Sequence, residues 1–230
     1  MLAACEAGAP GKEHQISEYD QGFFSSDHPF TPAMAARLGS TTTIHSWIFN
    51  NTAIYGSLSE QSVRLAEYLI ELGRGRASDP NRPIWLQEIG APLPPLTGNE
   101  TVEFLRRSVE HALDTENLWG ITWWCSHDVS RDLVDFPALE YDLGLVDSVN
   151  EPKAIAREFA KIARETRENY TPPAGRNTAV GREACRPGGR FFDTLMDLAR
   201  AGERPAMVLA ERAEDPAHRE ARGISEVIRP

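Results

Sequence analysis

Cysteine is scarce in this sequence: Cys5, Cys125 and Cys185 are odd in number and far apart. That excludes a disulfide framework and a paired CxxC metal site, and the three read as free thiols. Long apolar runs are also missing. No stretch of about 18 apolar residues occurs, so the sequence offers no membrane-spanning helix. Positive charge is in short supply, with 24 lysines and arginines against 34 acidic residues, a net charge of -10 and a pI near 5.1. With no basic patch to offset it, this balance argues against nucleic acid or an anionic membrane as the main partner. The opening Met1-Leu-Ala-Ala-Cys5 carries no basic segment of the kind that begins a secretory signal, which makes the cytoplasm the expected location.

What is present suits a packed core: 41% of the 230 residues are hydrophobic, enough for one or two domains. Gln15–Asp20 reads as a short strand, Ser25–Pro29 as a loop, and Thr31 caps a short helix to Leu38 that Gly39 stops. The β-branched and aromatic run 41–49 is a strand, with Asn50 and Asn51 turning out of it. Ser57-Leu-Ser-Glu60 reads as a capping box for a helix whose Val63, Ala66, Leu69 and Ile70 form one apolar stripe, with Gly73 as its stop. Thr97-Gly-Asn-Glu100 is a second such box, before Val102, Leu105, Val109, Ala112 and Leu113 at helical spacing. The short aromatic strand 119–126 follows, then a polar loop, then a helix from Pro152 carrying Ile155, Phe159 and Ile162. Strand and helix alternate, which implies a parallel sheet with helices packed outside it, either an open doubly wound sheet or part of a (β/α)8 barrel.

Residues 171–190 are rich in Pro and Gly and read as a linker; residues 191–230 then read as a small α/β tail whose charges form a solvated face. The domain plan is 1–170, linker, tail.

The stretch 82–92 carries the chemistry. Ile84, Leu86 and Glu88 share one face at period two, and Trp85, Gln87 and Ile89 the other, so the strand reads as covered on both sides. Gly90 and Pro92-Leu-Pro-Pro95 break it, placing Glu88 at the rim where parallel α/β sheets bind ligands. A glutamate in that row is either a working carboxylate or a rim residue held by an arginine.

Thr43-Ile-His-Ser-Trp47, Pro83-Ile-Trp-Leu-Gln-Glu-Ile-Gly90 and Gly120-Ile-Thr-Trp-Trp-Cys-Ser-His-Asp128 together resemble strands six, seven and eight of a retaining (β/α)8 glycoside hydrolase of the cellulase and β-mannanase group, family 5-like. Leu143–Lys153 resembles the family's closing stretch, and the likeness covers residues 15–168. It implies an α/β fold that is a partial TIM barrel, about strands five to eight, and an O-glycosyl hydrolase acting on a β-linked polysaccharide or oligosaccharide. Under it Glu88 is the nucleophile, Trp124 or Trp123 floors the reacting-sugar subsite, and His45 helps place Glu88's substrate. Trp47, His127 and Asp128 join the substrate-binding set, and no cofactor or metal is implied.

The physics of such a site is independent of the family. An oxocarbenium-like transition state gains positive charge at the anomeric carbon, so a carboxylate beside it stabilises it and can then attack. Flat indoles suit the apolar C–H faces of sugars, with one ring of Trp123-Trp124 expected in the core and the other in the site.

Retaining chemistry needs a second carboxyl about 5 Å from the first, which the family takes from an Asn-Glu pair ending strand four. Here Asn150-Glu151-Pro152 follows strand eight and opens the last helix, where it suits the helix start. Glu18 is the one upstream substitute, and Asp27-His28 could bind sugar hydroxyls. Cys125, His127 and Asp128 alternate along a strand and cannot converge as a metal site or triad. A full barrel takes about 250 residues, so the chain reads as half of one, without its acid/base, partnered by the missing N-terminal half or by self-association. The alternative is a non-catalytic carbohydrate-binding or remnant module.

Overall fold

The computed structural model describes residues 1–17, 32–49, 51–182, 188–209 and 212–229. The end of the first expected strand, loop 25–29, Thr31, Asn50 and Cys185 lie outside these, as do Glu18 and Asp27-His28. Among the described residues the helices are α1 (Leu2–Gly8), α2 (Pro32–Ala35), α3 (Glu60–Val63), α4 (Leu65–Arg76), α5 (Thr101–Leu113), α6 (Ala154–Asn169), α7 (Arg190–Arg200) and α8 (Pro216–Ala221). The strands are β1 (Thr42–Ser46), β2 (Ile84–Ile89), β3 (Leu118–Trp123), β4 (Thr178–Arg182), β5 (Ala206–Leu209) and β6 (Glu226–Ile228). None of the helices described is long and apolar enough to cross a membrane.

The first sheet runs β1-β2-β3, parallel throughout, with α4, α5 and α6 following its strands. The alternation of strand and helix therefore gives the parallel layer of a partial (β/α)8 barrel. Arg82 locks its lower edge, donating to Thr42 Oγ1 at 2.9 Å, Leu38 O at 2.6 Å and Thr41 O at 2.9 Å.

Strand β2 does not keep the period-two pattern. Leu86 pairs with Ile44, yet the next partner of β1, His45, stands opposite Glu88, so Gln87 is an extra residue in the strand. The same slip shows against β3, where Leu86 and Ile89 face Ile121 and Trp123. This β-bulge corrects the face assignment: Ile84, Leu86 and Ile89 are buried in the core, while Gln87 and Glu88 share the opposite face. Strict alternation would drive the Glu88 carboxylate into the core and Ile89 out of it. Burying an aliphatic side chain stabilises by roughly 1.5–3 kcal/mol, and burying an unpaired carboxylate costs more, so one extra residue resolves both demands.

Two helix boundaries also differ. Ser59, not Ser57, caps α3, accepting from Ser62 N at 3.3 Å, while Ser57 Oγ donates to Pro95 O at 2.9 Å. Gly73 is no stop, because α4 continues to Arg76. A Cβ on Gly73 would stand 3.2 Å from Thr42 Cγ2, and one on Gly75 would stand 3.0 Å from Met207 O. Each glycine costs about 1 kcal/mol of helix propensity, offset by letting one helix touch both sheets.

That second sheet corrects the linker and tail. Its order is β5-β4-β6, parallel, and its central strand β4 lies inside the stretch read as a linker. Val180 and Met207 join the main core with Phe191, Phe192, Leu195 and Met196, and Tyr68 of α4 meets the Phe192 ring edge-on at 4.9 Å. Nor are the charges of this region all solvated. Arg176 and Arg222 are buried at 1% and 5% exposure. Arg176 Nη2 donates to Glu67 Oε1 at 2.7 Å and Arg222 Nη2 to Glu71 Oε2 at 3.5 Å, so guanidinium groups of this unit close on the carboxylates of α4.

Candidate active site

The carboxylate of Glu88 sits where β2 ends, beside the end of β1. The bulge brings it opposite His45, whose Nδ1 lies 3.2 Å from Glu88 Oε2. From two residues further along, Trp47 Nε1 donates to the same oxygen at 3.3 Å. Oε1 has no hydrogen bond among the described residues. Two ring nitrogens on one oxygen fix the side chain's rotation, while 23% exposure leaves it reachable from solvent. No arginine among the described residues pairs with it; its partners there are His45 and Trp47.

His45 is itself buried, at 8% exposure. Its Nε2 stands 3.0 Å from Gln87 Oε1 and 2.8 Å from Ser17 Oγ, and Ser17 Oγ donates to Gln87 Oε1 at 2.5 Å.

Below Trp47 the backbone comes unusually close. A Cβ on Gly90 would fall 2.7 Å from the Trp47 ring and 2.7 Å from Trp124 O, so only glycine lets the strand end pass under the indole. Trp124 N donates to Ile89 O at 2.8 Å, tying the end of β3 to that of β2. Strands β1, β2 and β3 thus bring His45, Glu88 and Trp124 to one common end.

The two adjacent indoles part company. Trp124 is 41% exposed at this end, whereas Trp123 is buried at 6%, its ring against Phe159 of α6 at 6.2 Å. Trp123 is therefore placed in the helix layer rather than the site, since successive residues of a strand face opposite ways.

Asp128 is engaged elsewhere. Its Oδ1 accepts from Lys153 Nζ at 2.7 Å and Gly144 N at 2.8 Å, and Lys153 also donates to Asp142 O at 2.8 Å. Through Oδ1 this carboxylate closes the long loop after β3. His127 is exposed, with Nδ1 3.2 Å from Ser126 Oγ. Cys125 Sγ donates to His127 O at 3.2 Å, and burial pushes its thiol above the usual range. Among the described residues no group of His, Cys, Asp and Glu is arranged to hold a metal. Glu151 is exposed, its backbone in a turn with Asp147 (N to Oδ1, 2.8 Å).

Sequence reasoning missed Gln87, Ser17 and Gly90. Strict alternation places Gln87 on the far face, since the bulge has no signature in the sequence, and Ser17 has no motif at all. Gly90 by sequence is only a strand breaker.

The fold and site together define a partial (β/α)8 barrel with one carboxylate, imidazole and indole at the C-terminal ends of its parallel strands. No protein-family model matches the chain, and no curated protein matches it. Solved structures do. GH5_18 from Streptomyces cattleya in complex with GlcNAc matches at 45% identity and TM-score 0.97, over 100% of this chain and 58% of that one. A glutamate-to-alanine variant of GH5_18 from Streptomyces cattleya, in complex with Manb1-4GlcNAc, matches at 45% identity and TM-score 0.96, over 100% and 59%. GH5_18 from Bifidobacterium longum subsp. infantis matches at 40% identity and TM-score 0.92, over 99% and 57%. Over its whole length the chain is thus similar to GH5_18 structures at 40–45% identity, and it spans less than two thirds of the length of these relatives.

Proposed function

We propose that the chain carries the nucleophile half of a retaining β-glycosidase site, that Glu88 is the nucleophile, and that the substrate is a β-linked oligosaccharide of the Manβ1-4GlcNAc type. The observation that carries this is the Glu88 carboxylate at the end of β2, held through one oxygen by His45 and Trp47. The disaccharide comes from the likeness to a protein crystallised with it.

In this reading an oxygen of Glu88 attacks the anomeric carbon as the bond to the leaving-group oxygen breaks, and a carboxylic acid delivers a proton to that oxygen. The same acid, now a carboxylate, takes a proton from water, whose oxygen displaces Glu88 and returns the original anomeric configuration. We assign the acid to a segment outside residues 1–230, with Glu18 as its competitor within the chain. Trp124 supplies a face for the sugar's C–H groups.

An activated 2-fluoro-β-mannoside tests the assignment, because the fluorine slows release of the covalent intermediate. Mass spectrometry is expected to find the sugar on the peptide bearing Glu88 and to lose it in Glu88→Gln; turnover with the label elsewhere overturns the reading. Glu18→Gln abolishing hydrolysis would move the acid into this chain. Saccharide binding with no turnover or labelling, even with the rest of the barrel supplied, would favour the binding-module reading.

A further inference from the structure

The bulge in β2 does more than aim Glu88, for it also puts Gln87 on the same side of the strand, against the same histidine. We propose that Gln87 is a positioning residue which, with Ser17, clamps His45 so that Nδ1 stays on the Glu88 carboxylate, an inference that rests on Glu88 being the reacting group.

An imidazole held at one nitrogen only can turn about its Cβ–Cγ bond, and which nitrogen bears the proton follows from the partner of the other. His45 is held at both. Nδ1 stands 3.2 Å from Glu88 Oε2, and Nε2 closes a triangle with Gln87 Oε1 at 3.0 Å and Ser17 Oγ at 2.8 Å. The triangle's third side, Ser17 Oγ to Gln87 Oε1, is 2.5 Å. Turning the ring over would put carbon against all three oxygens. Burial of His45 at 8% exposure leaves little water to replace them. Gln87 and Glu88 are neighbours on a bulged strand, so the clamp and the carboxylate it serves are set by one backbone feature.

Gln87 thus acts on the reaction through ring geometry and not by touching sugar. The variants are Gln87→Met, which keeps length and removes the oxygen, and Ser17→Ala. The kinetics use the full polypeptide on an aryl β-mannoside, and imidazole nitrogen NMR of His45 gives a second readout independent of turnover. Gln87→Met is expected to lower kcat on the order of 10²-fold with KM within about twofold, and to shift both ring nitrogen signals. Ser17→Ala should move the same signals by less. Unchanged ring signals with unchanged kcat overturn the clamp, as does a raised KM at constant kcat, which would make Gln87 a sugar ligand. If Gln87→Met does not fold, Ser17→Ala decides by the same two readouts. Should the wild-type protein hydrolyse no β-glycoside even with the rest of the barrel supplied, the functional reading fails on its own and the ring signals still decide the clamp.

Discussion

Arg176 and Glu67 are 109 positions apart in sequence and meet at 2.7 Å, with 0% and 4% of their side chains exposed. The pair fastens the second sheet to α4 of the first. Around it, Arg74 Nη1 donates to Glu71 Oε1 at 2.7 Å and Arg204 Nε to Asp114 Oδ2 at 2.7 Å. Replacing one partner of a buried pair leaves the other charge without compensation, at about 3–5 kcal/mol. Folding stabilities run to roughly 5–15 kcal/mol. Arg176→Ala is therefore expected to unfold both sheets together at a much lower urea midpoint, monitored by tryptophan fluorescence. Two separate transitions would show that the sheets are independent.

Arg222 contributes differently to the same cluster. Burial and the repulsion of Arg74 and Arg176 outweigh the attraction of Glu71 and push its guanidinium down to about 10, while Arg74 and Arg176 are pushed up. With Nη2 3.5 Å from Glu71 Oε2, it is the crowded third cation around that carboxylate. Arg222→Met should cost less than Arg176→Met under the same denaturation, and the reverse order would refute this ranking.

Glu71 sets an acid limit. Burial alone raises its carboxyl, but Arg74, Arg176 and Arg222 prevail and hold it at about 2, against an ordinary 4.5. A carboxyl depressed on folding stabilises above its unfolded value, and that contribution is lost as pH falls through the folded value. Stability is thus expected to fall between about pH 4.5 and pH 2, by on the order of 3 kcal/mol from this group. Glu71→Gln should flatten this part of the curve relative to wild type. An unchanged acid limb would assign it to other carboxyls.

Gly90→Ala tests the packing beneath Trp47. A methyl 2.7 Å from the ring and from Trp124 O must displace one of them, costing about 1–3 kcal/mol as overpacking does. Because Trp47 also holds Glu88, hydrolysis should fall by more than stability explains, with Tm and kcat measured on the same preparation. A drop in Tm with kcat intact would separate the packing from the site.

Asp128→Ala should loosen the loop after β3 rather than weaken sugar binding. It removes the acceptor of Lys153 and Gly144 together. Limited proteolysis within 128–152 is expected to speed up several-fold, and the ratio of kcat to KM to change little. A selective loss of saccharide affinity would return Asp128 to the binding set.

Much of the site was legible because local chemistry and sheet topology agreed. The runs 41–49, 83–89 and 119–125 are apolar enough to be interior strands, and helical stretches of periodic leucine and valine separate them. Parallel order then follows from right-handed crossovers, so His45, Glu88 and Trp124 had to reach one end. The division of Trp123 from Trp124 was likewise legible from strand alternation.

Other features depend on residues distant in sequence. β4 escaped notice because Thr178–Arg182 holds a glycine and stands among proline and glycine runs, and only pairing on both sides makes it a strand. Gly73 and Gly75 resemble a helix end until two sheets press on them. The buried arginines look like surface charge until the carboxylates of α4 meet them, because the burial of an ion is decided by whether a partner stands opposite it.

By itself the sequence determined that this chain is a parallel α/β layer with a carboxylate delivered to the rim, since periodicity and strand composition are properties of neighbouring residues. Only the tertiary structure decided which way that carboxylate faces. The bulge at Gln87 exists because Ile89 must return to the main core, against which α4 packs, and that demand acts through space rather than along the chain.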